Sequence, residues 1–86
     1  MRYAMKRDLT EASIFEALKV AGCCPKRFTD FDIGAVHVDG FGVMLEAKTA
    51  NGKLREKQIW LQLAFKDRYH VVRTPEQALA ACGRSA

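Results

Sequence analysis

Asp32, Glu46 and Lys48 are the residues of this chain whose types and spacing could do chemistry. Two carboxylates held together can bind a hard divalent cation. Magnesium needs only one or two of them, because it keeps several of its waters. Such a cation polarises a phosphoryl oxygen and lowers the pKa of a coordinated water. A lysine beside it can orient that water and offset charge on a phosphorane-like transition state. The chemistry open to the trio is phosphate-ester hydrolysis. Glu46 directly follows the apolar run Val43-Met44-Leu45, and charge persists among such residues mainly when it is paired or metal-bound.

The elements that must position these residues are two strands. Residues 32–38 and 41–48 alternate apolar and polar positions and are separated by Asp39-Gly40, a hairpin signal. Residues two apart in a strand share a face, so Glu46 and Lys48 point one way and Ala47 the other. A turn of Asp39-Gly40 alone sets Asp32 opposite Ala47, on the wrong face. A turn of Val38-Asp39-Gly40, with Gly40 left-handed, pairs His37 with Phe41 and sets Asp32 opposite Glu46. Their Cβ atoms are then about 4.5–5.5 Å apart, a spacing at which two carboxylates repel unless a cation sits between them. The same register gathers Ile33, Ala35, Phe41, Val43, Leu45 and Ala47 on an apolar face, and Gly34, Gly42, Glu46 and Lys48 on the other. One register serves both core and site. Asp30 has the same strand parity as Asp32 and competes for the first carboxylate position.

An Asp, a hairpin and Glu-x-Lys resemble the core of the PD-(D/E)XK nucleases. Gly52-Lys53-Leu54, then three residues, then Gln58, is similar to the VRR-NUC (virus-type replication-repair nuclease) branch, and the resemblance spans roughly residues 9 to 81. Phe31 stands where that pattern has proline. The resemblance implies an α/β fold with a small mixed sheet and flanking helices, in the order α-β-β-β-α-β-α. It implies a Mg²⁺- or Mn²⁺-dependent endonuclease acting on branched or structured DNA such as Holliday junctions, forks or flaps, in a bacterial or phage-infected cytoplasm. The alternative is a catalytically weak or inactive DNA-binding module on the same fold. In the family pattern the backbone carbonyl at Ala47 is a further metal ligand, Gln58 joins the catalytic group, and Glu11 reaches the metal from an early helix. Gln58 read by itself is a solvent-facing helical residue, and Glu11 read by itself suits a helix dipole.

Eighty-six residues bound the chain to one domain with a modest core. A hydrophobic share of 49% and a charged share of 28% fit an ordinary globule and exclude a disordered chain. No apolar run approaches the roughly 20 residues of a membrane-spanning helix, and the first eight residues lack a signal-peptide core. The net charge of +4 permits polyanion binding without requiring it. Lys26 and Arg27 before the hairpin, and Lys53, Arg55 and Lys57 after it, can contact DNA phosphates or stand solvated. Cys23, Cys24 and Cys82 lack zinc-ligand spacing and read as reduced packing residues. His37 and His70 read as structural.

The remaining elements follow from periodicity. Thr10 reads as the N-cap of a helix with Ile14, Ala17, Leu18 and Ala21 on one stripe, ended by Gly22 and Pro25, with residues 1–8 as a flexible arm. Residues 25–28 read as a short edge strand. A second helix carries a Leu54, Leu61 and Phe65 stripe, widened by Trp60 and Leu63. Residues 69–73 read as a strand parallel to the second hairpin strand. Thr74, Pro75 and Gln77 open a last helix with Ala78, Leu79 and Cys82 inward, and residues 83–86 fray. A short core and an aromatic beside the stripe point to a homodimer through Trp60, Ile59 or Leu63.

Overall fold

The computed structural model describes residues 2–29, 31–49 and 55–84, with side chains from Thr10 onward. Residues 2–20 contain neither glycine nor proline, and α1 runs through all of them, Arg2–Val20. The expected start at Thr10 and the flexible arm before it are corrected. Uninterrupted helix formers carry the coil past a residue that would cap only if the helix began there. Glu11 consequently lies in the third turn, away from the helix N-terminus. The C-terminus closes as expected, with the Cys23 N–H donating to Leu18 O at 2.9 Å.

A mixed four-stranded sheet follows, in the order β1-β2-β3-β4. β1 (Lys26–Arg27) is a two-residue edge antiparallel to β2 (Ile33–Val36). β2 pairs antiparallel with β3 (Gly42–Ala47), with Ile33 opposite Leu45 and Ala35 opposite Val43. The turn has the odd length expected: His37 N–H donates to Phe41 O at 2.8 Å, and Gly40 takes φ +92°, a conformation that favours glycine. β4 (Tyr69–Val72) lies parallel to β3 on its other side. The connection between them is α2 (Glu56–Phe65) and a 3₁₀ turn, Lys66–Arg68. α3 (Pro75–Ala81) ends the fold.

α1 and α3 cover one face of the sheet. Ile14, Leu18, Ala78 and Cys82 meet Ile33, Ala35, Val43, Leu45, Ala47 and Val72 there, so the odd-numbered positions of the hairpin from Ile33 to Ala35 and from Val43 to Ala47 face the helices. Phe41 is the exception to the expected apolar face. At the end of the hairpin it runs past the helices and stays exposed, with the Arg68 guanidinium 5.7 Å above its ring. α2 packs against β4 and brings Gln58 to the opposite face, which carries Glu46.

The stripe expected on α2 is narrower than its sequence suggests. Leu61 is buried, while Phe65, Trp60 and Leu63 are exposed, Trp60 to 64%. The reason is angular: Gln58, Leu61 and Phe65 lie on one side of the helix, and Ile59, Trp60 and Leu63 on the other. Leu54 lies outside the described residues. α3 begins as expected, Thr74 Oγ1 accepting from Gln77 N–H at 3.1 Å, but Gln77 Oε1 accepts from Arg73 N–H at 2.7 Å, one residue before the cap. Of residues 83–86, expected to fray, Ser85 and Ala86 lie outside the described residues, and the first two are tied down. Gly83 and Arg84 donate to Ala80 O and Leu79 O, both at 2.9 Å. Among the described residues no helix is long and apolar enough to cross a membrane.

Candidate functional site

The register sets Asp32 and Glu46 side by side across the open end of the hairpin. Asp32 immediately precedes β2, and its Oδ2 accepts the Ala47 N–H at 2.8 Å. A backbone donor thus pins the carboxylate at the place where the β2–β3 pairing ends. Glu46 is 2% exposed. Its Oε1 accepts from the Tyr69 hydroxyl, itself buried, at 3.0 Å. Burial pushes the Glu46 carboxyl up to about 7, and the Asp32 carboxylate adds to the rise by hydrogen bonding and by charge. The Tyr69 hydroxyl and the Lys48 ammonium pull the other way. The same contact and its own burial raise the Tyr69 hydroxyl above its ordinary range.

Lys48 follows β3 directly, its N–H donating to Val72 O at 3.0 Å. Its half-buried side chain acts on Glu46 through charge. Gln58 is not the solvent-facing residue that its helix position suggests. It is buried, and its Oε1 accepts the Arg55 N–H at 2.8 Å, capping α2. Its amide NH₂ remains as the donor it can offer to the site. Asp32, Glu46 and Gln58 line a polar cleft of about 150 Å³ with Arg55, Lys57, Thr29 and Phe31.

The other expected residues divide. Glu11 pairs with Arg27 at 3.0 Å, and the Arg27 guanidinium stacks 4.3 Å from the Phe15 ring. This ties α1 to the edge strand. Among the described residues no cluster of three or more His, Cys, Asp or Glu side chains forms, so Glu11 is not gathered with the carboxylate pair. Lys26 lies on exposed β1, while Arg55 and Lys57 border the cleft. Asp30 and Lys53 lie outside the described residues. Cys23 and Cys82 are buried free thiols and Cys24 an exposed one.

The donor set fits a magnesium or manganese ion: two hard oxygen ligands in one polar cleft, with space for water. A carboxyl that holds its proton up to about 7 beside a second carboxylate is a pair short of positive charge, and a cation can take the place of that proton. The sequence reading overlooked Tyr69, which in a strand reads as core, and the cleft residues Thr29 and Phe31. The parallel pairing of Met44 with Tyr69 puts Tyr69 on the Glu46 face. A search for a donor to satisfy a buried carboxylate along that face would have found it. Comparisons with family models, curated proteins and solved structures gave no significant match.

Proposed function

We propose that this chain is a Mg²⁺- or Mn²⁺-dependent DNA endonuclease with a PD-(D/E)XK core of the VRR-NUC type, acting on branched or structured DNA. The observation that carries the reading is the hairpin register, which brings Asp32 against Glu46, with Lys48 close enough to act on Glu46 through charge. In this reading Asp32, Glu46 and the Ala47 carbonyl would hold the ion, which when bound would polarise a phosphate and acidify a water. Lys48 orients the water and balances charge on the transition state. Gln58 donates its amide to water or phosphate from a helix start fixed by its own cap. Arg55 and Lys57, on the rim of the cleft, contact the DNA backbone, and Lys26 on the exposed edge strand adds a further cation.

A homodimer belongs to the same proposal. Ile59, Trp60 and Leu63 form an outward apolar face on α2, and two symmetric cuts at a junction suit a twofold pair of sites. The second reading, a DNA-binding module with weak or lost catalysis, is favoured by Phe31 in place of proline and by the commitment of Glu11 to Arg27. Incubation with single-stranded, duplex and four-way-junction DNA in Mg²⁺ or Mn²⁺ decides between them. Metal-dependent cutting of branched DNA, abolished in Asp32→Asn, supports the nuclease. DNA binding without cutting supports the module.

A further inference from the structure

Among the described residues no helix covers β1, β2 and the first half of β3 on the face that holds Glu46, and an apolar groove of about 380 Å³ runs over them. That volume lies in the roughly 300–1,000 Å³ range of small-ligand clefts. Gly34 and Met44 form its floor, Phe28 and Phe31 one wall, and Lys26 its charged edge. The two phenyl rings stack with centroids 4.8 Å apart and planes 21° from parallel. Phe28 is 51% exposed, an unusual placement for a ring that could have folded inward. Gly34 permits this placement: a Cβ there would come within 2.6 Å of the Phe28 ring. Phe31 lines both the groove and the carboxylate cleft, so the two are neighbours across that ring.

We propose that the groove is a stacking platform for an unpaired nucleobase of the DNA strand whose phosphate enters the Asp32–Glu46 cleft. This rests on the nuclease reading and narrows its substrate to DNA with single-stranded segments at the cut. The chemistry matches part for part. Flat π-faces stack on Phe28 and Phe31, Lys26 meets the adjoining phosphate, and Gly34 lets the Phe28 ring lie close against the sheet. Aromatic platforms joined to basic tracks are how proteins hold single strands without reading sequence. A duplex keeps its bases stacked internally and has no ring to offer the groove.

The test is fluorescence anisotropy in EDTA, where no metal supports cutting, with labelled single-stranded and duplex oligonucleotides of one length. The wild type binds the single strand more tightly than a single strand of the same length made wholly of abasic residues. Phe28→Leu weakens single-strand binding roughly 5- to 160-fold, from about 1–3 kcal/mol per stacked base, and leaves duplex affinity unchanged. Phe28→Tyr restores it, and circular dichroism checks each fold. Equal wild-type affinity for normal and abasic strands overturns the platform, even if Phe28→Leu fails to fold. A groove that joins two copies of the chain, detected as Phe28-dependent self-association with unchanged DNA affinity, overturns it too. The nuclease reading fails separately: base-dependent binding with no cleavage of any DNA on adding Mg²⁺ or Mn²⁺ removes the enzyme and leaves the platform.

Discussion

The Tyr69 hydroxyl donates to Glu46 Oε1 across 3.0 Å, from a strand parallel to the one that carries the acid. It is the neutral donor a buried carboxylate requires, and it comes from outside the hairpin. The βαβ crossover thereby serves the site as well as the sheet.

Tyr69→Phe keeps the ring and removes the donor. Because that bond lowers the Glu46 pKa, its loss raises the carboxyl further above its ordinary value. At pH 8 the metal-free variant should be destabilised by about 1–3 kcal/mol, the cost of a buried acceptor left short of a partner. At pH 5, with Glu46 protonated, the loss should be smaller. Denaturant midpoints at the two pH values measure this, and identical losses at both would show that the hydroxyl does not act through the carboxylate.

Glu46 makes the stability of the metal-free protein depend on pH in a defined direction. Its pKa rises from 4.5 unfolded to about 7 folded, so between those values the native state binds more protons than the unfolded one. Stability from this group is fully present below about 4.5 and is lost as pH climbs through about 7. The contribution is roughly 3 kcal/mol when integrated. Thermal melts in EDTA from pH 5 to pH 8.5 should fall by more than in Glu46→Gln, which lacks the titration. Parallel wild-type and variant profiles would remove Glu46 as the source.

Glu46→Gln should end cleavage while DNA binding in EDTA persists. It relieves the repulsion with Asp32, so its metal-free thermal midpoint at pH 8 should be unchanged or higher than that of the wild type. Full cleavage activity in the variant would refute Glu46 as a ligand.

Lys48→Met keeps the methylene stem and deletes the charge. On the nuclease reading, single-turnover cleavage should slow by roughly 10²–10³-fold, the usual loss when one charge-stabilising group leaves a transition state. Metal affinity, followed by the thermal shift on adding Mn²⁺, should change far less. Equal falls in both would make Lys48 a support for Glu46 rather than for the reaction.

Trp60→Ala tests the dimer. Light scattering at micromolar concentration should give twice the chain mass for the wild type and a monomer for the variant, with the core unaffected because Trp60 is exposed. A wild-type monomer would end the dimer proposal and leave the single-site reading intact.

The hairpin was legible because parity is unforgiving. Only a turn of odd length puts Ile33, Val43 and Leu45 on a common buried face, and the three-residue turn also joins Asp32 to Glu46. The ends of α1 and α3 near Gly22 and Thr74 were legible from backbone chemistry. The beginning of α1 was not, since no residue before Thr10 forbids a helix and propensity alone does not say where coiling starts. Which side of α2 faces inward was half legible. The apolar residues extend around the helix, and spacing alone cannot tell Trp60 from Leu61 as the buried one. The partners that tune the site, Tyr69 on Glu46 and Arg27 on Glu11, join residues far apart in sequence. No local pattern announces such pairs.

The tip of the hairpin has a consequence for how this gene can vary. Its three residues look like a tolerant surface loop, the usual place for length changes. Yet Val38 N–H donates to Cys82 O at 2.9 Å, and the Arg68 guanidinium grips Asp39 at 2.8 Å. Adding or deleting a single codon there would exchange inside for outside along the whole first strand, exposing Ile33 and turning Asp32 away from Glu46. Changes of two codons preserve the parity and cost only the local tethers. A library of tip insertions should therefore survive in steps of two, with odd-numbered changes failing in solubility and in DNA cleavage together.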